Sequence, residues 1–412
     1  MGAIHLETPR GTIDGFCEPA FQAVADEFER NFSERGEVGA SVCLTLGGKT
    51  VVDLWGGMAN PEENIPWEKD TLVIVFSCTK GATALCANIL VSRGLLELEA
   101  PVARYWPEFA RNGKENATVH MMLDHSVGVP AWRQPLRPDG HTDWEYMVRT
   151  LAEEAPWWEP GTRNGYHMLS FGWTVGELVR RVSGKPLGTF FRDEVTGPLG
   201  IEFYIGAPEE VEPRVAPVRN YVAKAGEPMG SFTTALLNDG QSLQALSYLN
   251  SGGFNPNSRA THAAEVGGGG GISNARGLAG MYAPLANGGE LNGVRLLDPD
   301  TLTRMARISV ATNQDATLLI PTRFALGFMK SMDNRARPGP DTDSAILSEP
   351  AFGHVGAGGS IGFADPECGM SFGYAMNQMG KSILLNERGQ ALVDAAYRSL
   401  GYRTNAGGSW VK

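Results

Sequence analysis

A serine and a lysine in the first quarter of the sequence have a spacing that suits nucleophilic catalysis: Ser77 and Lys80, in the segment SCTKG. Side chains three residues apart lie on the same face of a helix. A serine hydroxyl is a poor nucleophile until a base takes its proton, and a lysine serves as that base where apolar surroundings favour its neutral amine. An N-cap serine beside a solvated lysine has the same spacing, so the tetrapeptide alone leaves both interpretations open.

The sequence around this pair predicts a strand that turns directly into a helix. Residues 71–76 (TLVIVF) are apolar and rich in β-branched side chains, and the chain continues from Ser77 as a largely apolar helix. The start of a helix offers free backbone N–H groups and a dipole that stabilise negative charge. This position favours Ser77 as a nucleophile.

The sequence patterns on either side of this pair predict the elements that position it: an α/β chain with an inserted helical region. Residues 18–34 carry apolar side chains at helical spacing, and residues 38–57 have the composition of a β-hairpin. Residues 111–215 are helical pieces broken by Pro and Gly. We therefore expect an α/β domain formed by residues 1–110 and 216–412, and a helical domain formed by residues 111–215.

The last third of the chain predicts a glycine loop, two strands and a final helix. Five consecutive glycines at 267–271 stand too close to a helical pattern for a linker, so we predict a tight loop near a ligand. Residues 324–332 and 372–379 are predicted strands separated by a turn-rich segment, and residues 384–399 are a predicted helix. Both ends of the chain are expected to contribute to one sheet.

Six segments carry a resemblance to a known family of serine enzymes. They are SCTKG (77–81), HMMLDHSVGVP (120–130), PGTRNGYHMLSFGWTVGELVRRVSGKPLGTFF (160–191), GPLGI (197–201), SNARGLA (273–279) and FGHVGAGGSIGFADPECGMSFGYAMN (352–377). Over nearly its whole length the sequence resembles the serine β-lactamase-like and penicillin-binding-protein superfamily, in particular the carboxylesterase branch called family VIII. The resemblance implies a β-lactamase/DD-peptidase-like fold, with a central antiparallel sheet flanked by helices and an inserted helical subdomain.

The resemblance also implies a third catalytic residue and an oxyanion hole. In that family a tyrosine from the helical lobe completes the site, and Tyr166 in PGTRNGYHM has the matching position. Its phenol would share the proton of Ser77 with Lys80 and deliver it to the leaving alcohol. Which of the two groups takes the first proton stays open, and a buried tyrosine bonded to backbone is the alternative. The backbone N–H groups of Ser77 and Ala357 are the candidate oxyanion donors.

Two departures from the family pattern bear on the substrate. The resemblance places the segment HVG at 354–356 on a strand that faces the nucleophile. His354 stands where penicillin-recognising members have a Lys-Thr-Gly type motif that holds a carboxylate, and histidine is mostly neutral at pH 7. Met168 replaces the asparagine of a Tyr-x-Asn motif. We expect His354, Gly356, Met168 and Trp158 to bind substrate and β-lactam recognition to be weak. Trp132, Trp144 and Trp157 are candidates for the same pocket. A packing role for His354 and a core role for the four tryptophans are the alternatives.

A second serine, Ser360 in GGSIG at 358–362, matches the GxSxG elbow of α/β-hydrolases. The elbow requires a helix directly after the serine, whereas residues 363–374 (FADPECGMSFGY) predict a turn and a strand. That fold also places its histidine after the serine, and every histidine of this sequence precedes Ser360. Ser360 is therefore predicted to be a turn residue.

Composition and missing motifs argue against other classes of function. The net charge of -11 opposes binding to nucleic acid or anionic lipid. No stretch approaches the ~20 apolar residues of a membrane span, and the N-terminus lacks a signal-peptide pattern, which predicts a cytoplasmic protein. The five scattered cysteines predict reduced packing residues. Without an HExxH or dinucleotide-binding pattern, we expect no metal and no cofactor. The expected partner is a small-molecule ester as substrate. The oligomeric state stays open.

Three functions are compatible with these residues. The first is a serine carboxylesterase that hydrolyses short- to medium-chain acyl esters through an acyl-enzyme on Ser77. The second is amide chemistry or acyl transfer on the same fold: a β-lactamase, an amide or peptide hydrolase, or an acyltransferase. The third is a binding protein that has lost its chemistry, which the joint presence of Ser77, Lys80 and Tyr166 argues against.

Overall fold

The computed structural model describes residues 2–381 and 383–412. In chain order its strands are β1 Gly2–Thr8, β2 Gly11–Cys17, β3 Gly39–Leu46, β4 Lys49–Asn60, β5 Ile65–Pro66, β6 Val73–Ile74, β7 Phe203–Tyr204, β8 Ile272–Ser273, β9 Glu290–Leu291, β10 Val294–Arg295, β11 Val310–Thr312, β12 Thr322–Phe324, β13 Phe352–Val355, β14 Ile361–Asp365 and β15 Met370–Met376. Its helices are α1 Gln22–Ser33, α2 Cys78–Ser92, α3 Val119–Leu123, α4 Trp144–Glu153, α5 Ser170–Ser183, α6 Leu187–Phe191, α7 Gly197–Leu199, α8 Ser231–Asn238, α9 Leu243–Leu249, α10 Arg259–Ala263, α11 Ala275–Ala286, α12 Pro299–Ala306 and α13 Glu387–Ser399. Within the described residues, no helix has the length and apolar character needed to cross a membrane.

The central sheet is antiparallel and joins the two ends of the chain. Its strands run in the order β1-β2-β4-β3-β15-β14-β13, with β5 paired to β4. Strands β3 and β15 pair in the middle, where Cys43 lies opposite Gly373. The predicted α/β fold with a central antiparallel sheet flanked by helices is thus confirmed, and β13 ends the strand order on the side of the C-terminal strands.

Helices cover both faces of this sheet. Helix α11 packs closely against β15, because a Cβ on Gly373 would lie 2.2 Å from the carbonyl oxygen of Ala275. On the other face Tyr397 of α13 stacks on Phe363 of β14, with the ring centroids 6.2 Å apart. Helix α2 packs against α5, α6 and β13. The start of α2 therefore lies between the sheet and the helices that follow residue 111.

Two predictions of local structure were wrong, and one hairpin was not predicted. The predicted strand at 324–332 ends at Phe324, because Gly327 has a φ of +86° and approaches α2 so closely that a Cβ would lie 2.2 Å from the Ala84 Cβ. The segment predicted as turn-rich contains both β13 and β14. The N-terminal hairpin of β1 and β2 was not predicted, because β1 is mostly exposed and has no buried apolar face to produce a pattern.

Other elements form as predicted with shifted ends. The predicted helix at 18–34 begins at Gln22, after a 3-10 turn that opens with Pro19, and the predicted helix at 384–399 begins after its N-cap Asn386. The predicted strand at 71–76 is regular only over β6, because the chain must turn at Phe76 to enter α2.

Candidate active site

Ser77 is the N-cap residue of α2 and directly follows a residue with an unusual backbone conformation. Phe76 has a φ of 44°, a region that side-chain-bearing residues rarely occupy. The Phe76 carbonyl accepts hydrogen bonds from the backbone N–H of Thr79 at 2.9 Å and from its hydroxyl at 2.5 Å. The turn held in this way presents a partly exposed serine at the start of an otherwise buried helix.

Lys80 is fully buried and contacts Ser77. Its Nζ lies 3.0 Å from Ser77 Oγ, 2.5 Å from the Met168 carbonyl oxygen and 2.6 Å from the Gly268 carbonyl oxygen. Burial lowers the pKa of Lys80 well below its usual value of 10.5. A neutral amine has two N–H groups for the two carbonyls and a lone pair that can accept from the Ser77 hydroxyl. This arrangement is compatible with a general base.

The glycine loop at 267–271 supports Lys80 by close backbone packing. A Cβ on Gly268 would lie 2.4 Å from the Leu169 carbonyl oxygen, and one on Gly172 of α5 would lie 2.2 Å from the Gly268 nitrogen. The hydroxyl of Thr83, one turn beyond Lys80 on α2, donates to the Gly267 carbonyl at 2.8 Å. The loop is tight, as predicted, and its carbonyl holds the lysine of the site.

Tyr166 lies beside Lys80 with its hydroxyl buried. The Lys80 nitrogen is 4.7 Å from the centre of the Tyr166 ring, and the ring stacks on Phe324 at 5.9 Å. Among the described residues the hydroxyl has no hydrogen-bond partner of good geometry. Burial raises the pKa of Tyr166, and the nearby Ser77 hydroxyl opposes that rise. The tyrosine is therefore a neutral phenol, next to both the nucleophile and the lysine.

Asp315 holds the backbone of Tyr166 and was missed by sequence reasoning. This fully buried carboxylate accepts hydrogen bonds from the backbone N–H groups of Tyr166, Thr317 and Leu318, each at 2.9 Å for the nearer oxygen. It also accepts from the hydroxyl of Thr322 at 3.2 Å. Asp315 is 149 residues from Tyr166 in the sequence, so no local spacing pointed to it.

Three buried histidines lie around Tyr166, and all are neutral at pH 7. Burial lowers the pKa of His354 and of His167 to about 3, and that of His125 well below its usual value. The ring centroids of His125 and His354 lie 5.0 and 6.0 Å from that of Tyr166. His125 was not among the site residues predicted from the sequence. These rings supply no positive charge for a substrate carboxylate.

The two backbone N–H groups named as oxyanion donors are free of competing acceptors. Within the described part of the chain, neither the Ser77 nor the Ala357 N–H donates a hydrogen bond. The end of β13 comes close to the start of α2, since a Cβ on Gly356 would lie 2.3 Å from the Val75 carbonyl oxygen. Gly356 is therefore required for close packing, which places Ala357 near Ser77.

The remaining predicted pocket residues make mainly structural contacts. Met168 contributes its carbonyl to Lys80, and Trp158 donates its indole N–H to the Ser126 carbonyl at 3.0 Å while packing beside Gly165. Trp132 and Trp144 donate to Thr150 and Glu177 inside the helical region. These anchored indoles favour the core interpretation of Trp132 and Trp144.

Ser360 lies outside this arrangement. It directly precedes the strand β14 and not a helix, and its backbone carbonyl accepts from the Gly356 N–H at 2.7 Å. Its buried hydroxyl has no hydrogen-bond partner in the described structure. The residue has the turn position that the sequence predicts and lacks the strand-to-helix elbow.

Comparisons with known proteins agree with this architecture. Residues 25–396 match the family model described as Beta-lactamase. The Esterase/beta-lactamase LipL of Mycobacterium tuberculosis is 34% identical over 387 residues, which cover 91% of this chain and 85% of that protein. The crystal structure of a family VIII carboxylesterase is 38% identical with a TM-score of 0.82, over 94% of this chain and 99% of that chain. A penicillin-binding-protein homologue from Caulobacter crescentus is 32% identical with a TM-score of 0.82, over the same shares of the two chains. The resemblance found in the sequence is confirmed, and the chain belongs to the beta-lactamase family.

Proposed function

We propose that this protein is a serine carboxylesterase that forms an acyl-enzyme on Ser77. The observation that carries the proposal is the buried Lys80, whose Nζ lies 3.0 Å from Ser77 Oγ while two carbonyl oxygens accept from it. The names of the relatives support ester chemistry. We also propose that residues 111–215 form the helical domain that carries Tyr166, and that the five free cysteines indicate a reducing compartment, the cytoplasm.

In the acylation step, Ser77 Oγ attacks the ester carbonyl carbon while the neutral Lys80 takes the hydroxyl proton. The carbonyl oxygen becomes an oxyanion and accepts hydrogen bonds from the Ser77 and Ala357 N–H groups. When the carbon–oxygen bond to the alcohol breaks, Tyr166 gives its proton to the leaving oxygen and recovers one from the Lys80 ammonium. Lys80 is the better first base, because its Nζ lies 3.0 Å from Ser77 Oγ and burial favours its neutral amine, whereas burial raises the pKa of Tyr166 and keeps its phenol protonated.

In the deacylation step a water molecule attacks the acyl carbon, and Lys80 and Tyr166 together act as the general base. The water loses one proton to this pair, and the same proton returns to Ser77 Oγ as the carboxylic acid is released. The same two N–H groups stabilise the second oxyanion. Both half-reactions therefore begin and end with Lys80 and Tyr166 neutral, and in each the two residues first accept a proton and then give it back.

The proposed substrates are short- to medium-chain acyl esters, and the neutral histidines favour uncharged ones. A substrate carboxylate at the His354 position would meet a ring whose pKa of about 3 leaves it uncharged at pH 7, and burying an unpaired carboxylate is costly. Weak hydrolysis of β-lactams is the second candidate activity, favoured by the relative LipL, whose name includes beta-lactamase. The same Ser77 acylation would open a β-lactam ring, without a cation to hold its carboxylate.

The test is hydrolysis of p-nitrophenyl esters from acetate to laurate, alongside nitrocefin, by the wild type and by Ser77→Ala. We expect the Ser77→Ala exchange to lower ester turnover by more than about a thousandfold, and mass spectrometry of the wild type to find the acyl group on the Ser77 peptide. Ser360→Ala is the matched control and should keep its turnover. Activity that survives in Ser77→Ala and disappears in Ser360→Ala would show that the proposal is wrong.

A further inference from the structure

The turn that follows β13 carries Ala357 and is held from outside by one side chain, that of Asn386. The Gly359 N–H donates to the Gly356 carbonyl at 3.0 Å, which closes the turn. The Gly358 carbonyl points out of the turn and accepts two hydrogen bonds, from the Gly380 N–H at 2.8 Å and from Asn386 Nδ2 at 2.5 Å. The amide of Asn386 lies directly against the glycines of the turn, since a Cβ on Gly359 would lie 2.1 Å from Nδ2.

These bonds fix the orientation of two peptide planes, first that between Gly358 and Gly359 and then that between Gly356 and Ala357. In a trans peptide the C=O and the next N–H point in opposite directions, and no described peptide bond is cis. Holding the Gly358 carbonyl outward therefore directs the Gly359 N–H inward, onto the Gly356 carbonyl. Holding the Gly356 carbonyl inward in turn directs the Ala357 N–H outward, away from the turn. The Asn386 amide thus acts on the Ala357 N–H through two rigid planes.

We propose that Asn386 is a positioning residue for catalysis, which orients the Ala357 N–H as an oxyanion donor by holding the Gly358 carbonyl. The inference rests on the proposed function, in which that N–H binds the oxyanion. The turn needs such support because its other residues offer little rigidity: Gly358 and Gly359 have φ values of +84° and +123°, in a region open mainly to glycine.

Asn386 performs a second task that allows the first to be tested alone. Its Oδ1 accepts from the Gly389 N–H at 3.0 Å and so caps the N-terminus of α13. Aspartate and serine also cap helices well, but neither has an amide donor for Gly358. Asn386→Ser should therefore keep the helix cap and lose only the hydrogen bond to the turn. Asn386→Asp should keep the cap and replace that hydrogen bond by repulsion between two oxygens. Only a side-chain amide can both accept from the Gly389 N–H and donate to the Gly358 carbonyl.

The experiment compares ester hydrolysis, inhibition by an alkyl boronic acid and thermal midpoint in the wild type and both variants. A boronic acid bonded to Ser77 is tetrahedral and places an oxygen in the oxyanion hole, so its affinity reports the donors directly. We expect kcat to fall about 10- to 100-fold with little change in KM, and the inhibition constant to rise by a similar factor. The midpoint should stay within about 3 °C of the wild type.

Asp143→Asn serves as the matched control, because Asp143 caps α4 through the Tyr146 N–H and lies outside the site. It should leave kcat and boronic-acid affinity unchanged. Wild-type kcat and inhibition in both Asn386 variants would overturn the inference, as would a loss of activity that follows only the loss of folded protein. If Asn386→Asp does not fold, kcat and boronic-acid inhibition of the uncharged Asn386→Ser variant decide whether the inference stands. Ester turnover that survives in Ser77→Ala would instead show that the proposed function fails.

Discussion

Replacing Gly356 with alanine should displace an oxyanion donor by a distance that the structure defines. The added Cβ would lie 2.3 Å from the Val75 carbonyl oxygen, whereas Cβ atoms essentially never come within 3.0 Å of another heavy atom. The two segments must therefore separate by about 0.7 Å, the difference between these distances. Val75 is tied to Gly271 and Cys78 by backbone hydrogen bonds, so the end of β13 is the part that moves.

This displacement carries Ala357 away from Ser77 and lengthens its hydrogen bond to the oxyanion. A bond of about 2.9 Å would become one of about 3.6 Å, beyond the useful range. Misplacing a reacting group by ~1 Å costs about 100-fold, and losing one oxyanion donor costs about 100- to 1000-fold. We therefore expect kcat of Gly356→Ala to fall about 10- to 100-fold, and overpacking to lower the free energy of unfolding by about 1–3 kcal/mol.

The assay is steady-state hydrolysis of p-nitrophenyl butyrate with a thermal unfolding curve for each protein. Gly240→Ala is the matched control, because a Cβ there meets no heavy atom within 4 Å, and it should behave like the wild type. A folded Gly356→Ala protein with unchanged kcat would refute the close approach of β13 to α2 as the origin of the oxyanion hole.

Three further predictions follow from buried or capping groups. Because burial lowers the pKa of Lys80 well below 10.5, kcat/KM should stay high at neutral pH and fall only as acid protonates the amine. Lys80→Met should lose activity at every pH from about 5 to about 10 in a pH–rate series. Asp315→Ala should lower the free energy of unfolding by about 3 kcal/mol in urea, because it leaves buried N–H groups such as that of Tyr166 without an acceptor, and should lower kcat as well. Asp298→Ala should cost about 1 kcal/mol at pH 7 through loss of the α12 N-cap. Hydrogen bonds from Ser92 and Thr301 lower the pKa of Asp298 from 3.8 to about 2, so this cost should shrink as pH falls through that interval.

Much of the fold and the nucleophile could be predicted from the sequence because the signals are local. Ser77 and Lys80 lie within one helical turn, so their spacing alone brings the two side chains together. The hairpin of β3 and β4 and the helix α11 follow from alternating and helical patterns of apolar residues. The segment at 324–332 misled this reasoning, because an apolar run looks the same whether it continues as a strand or turns at Gly327.

The sequence by itself determined the family, the spacing of the proposed nucleophile Ser77 and its proposed base Lys80, and the absence of a lysine at position 354. Only the tertiary structure decided what surrounds these residues, because pKa values depend on burial and hydrogen bonds depend on distant partners. Lys80 is held by the carbonyl of Gly268, 188 residues away, and Tyr166 by Asp315, 149 residues away. Asn386 caps its own helix locally, but no local pattern identifies its second partner, the Gly358 carbonyl, 28 residues away.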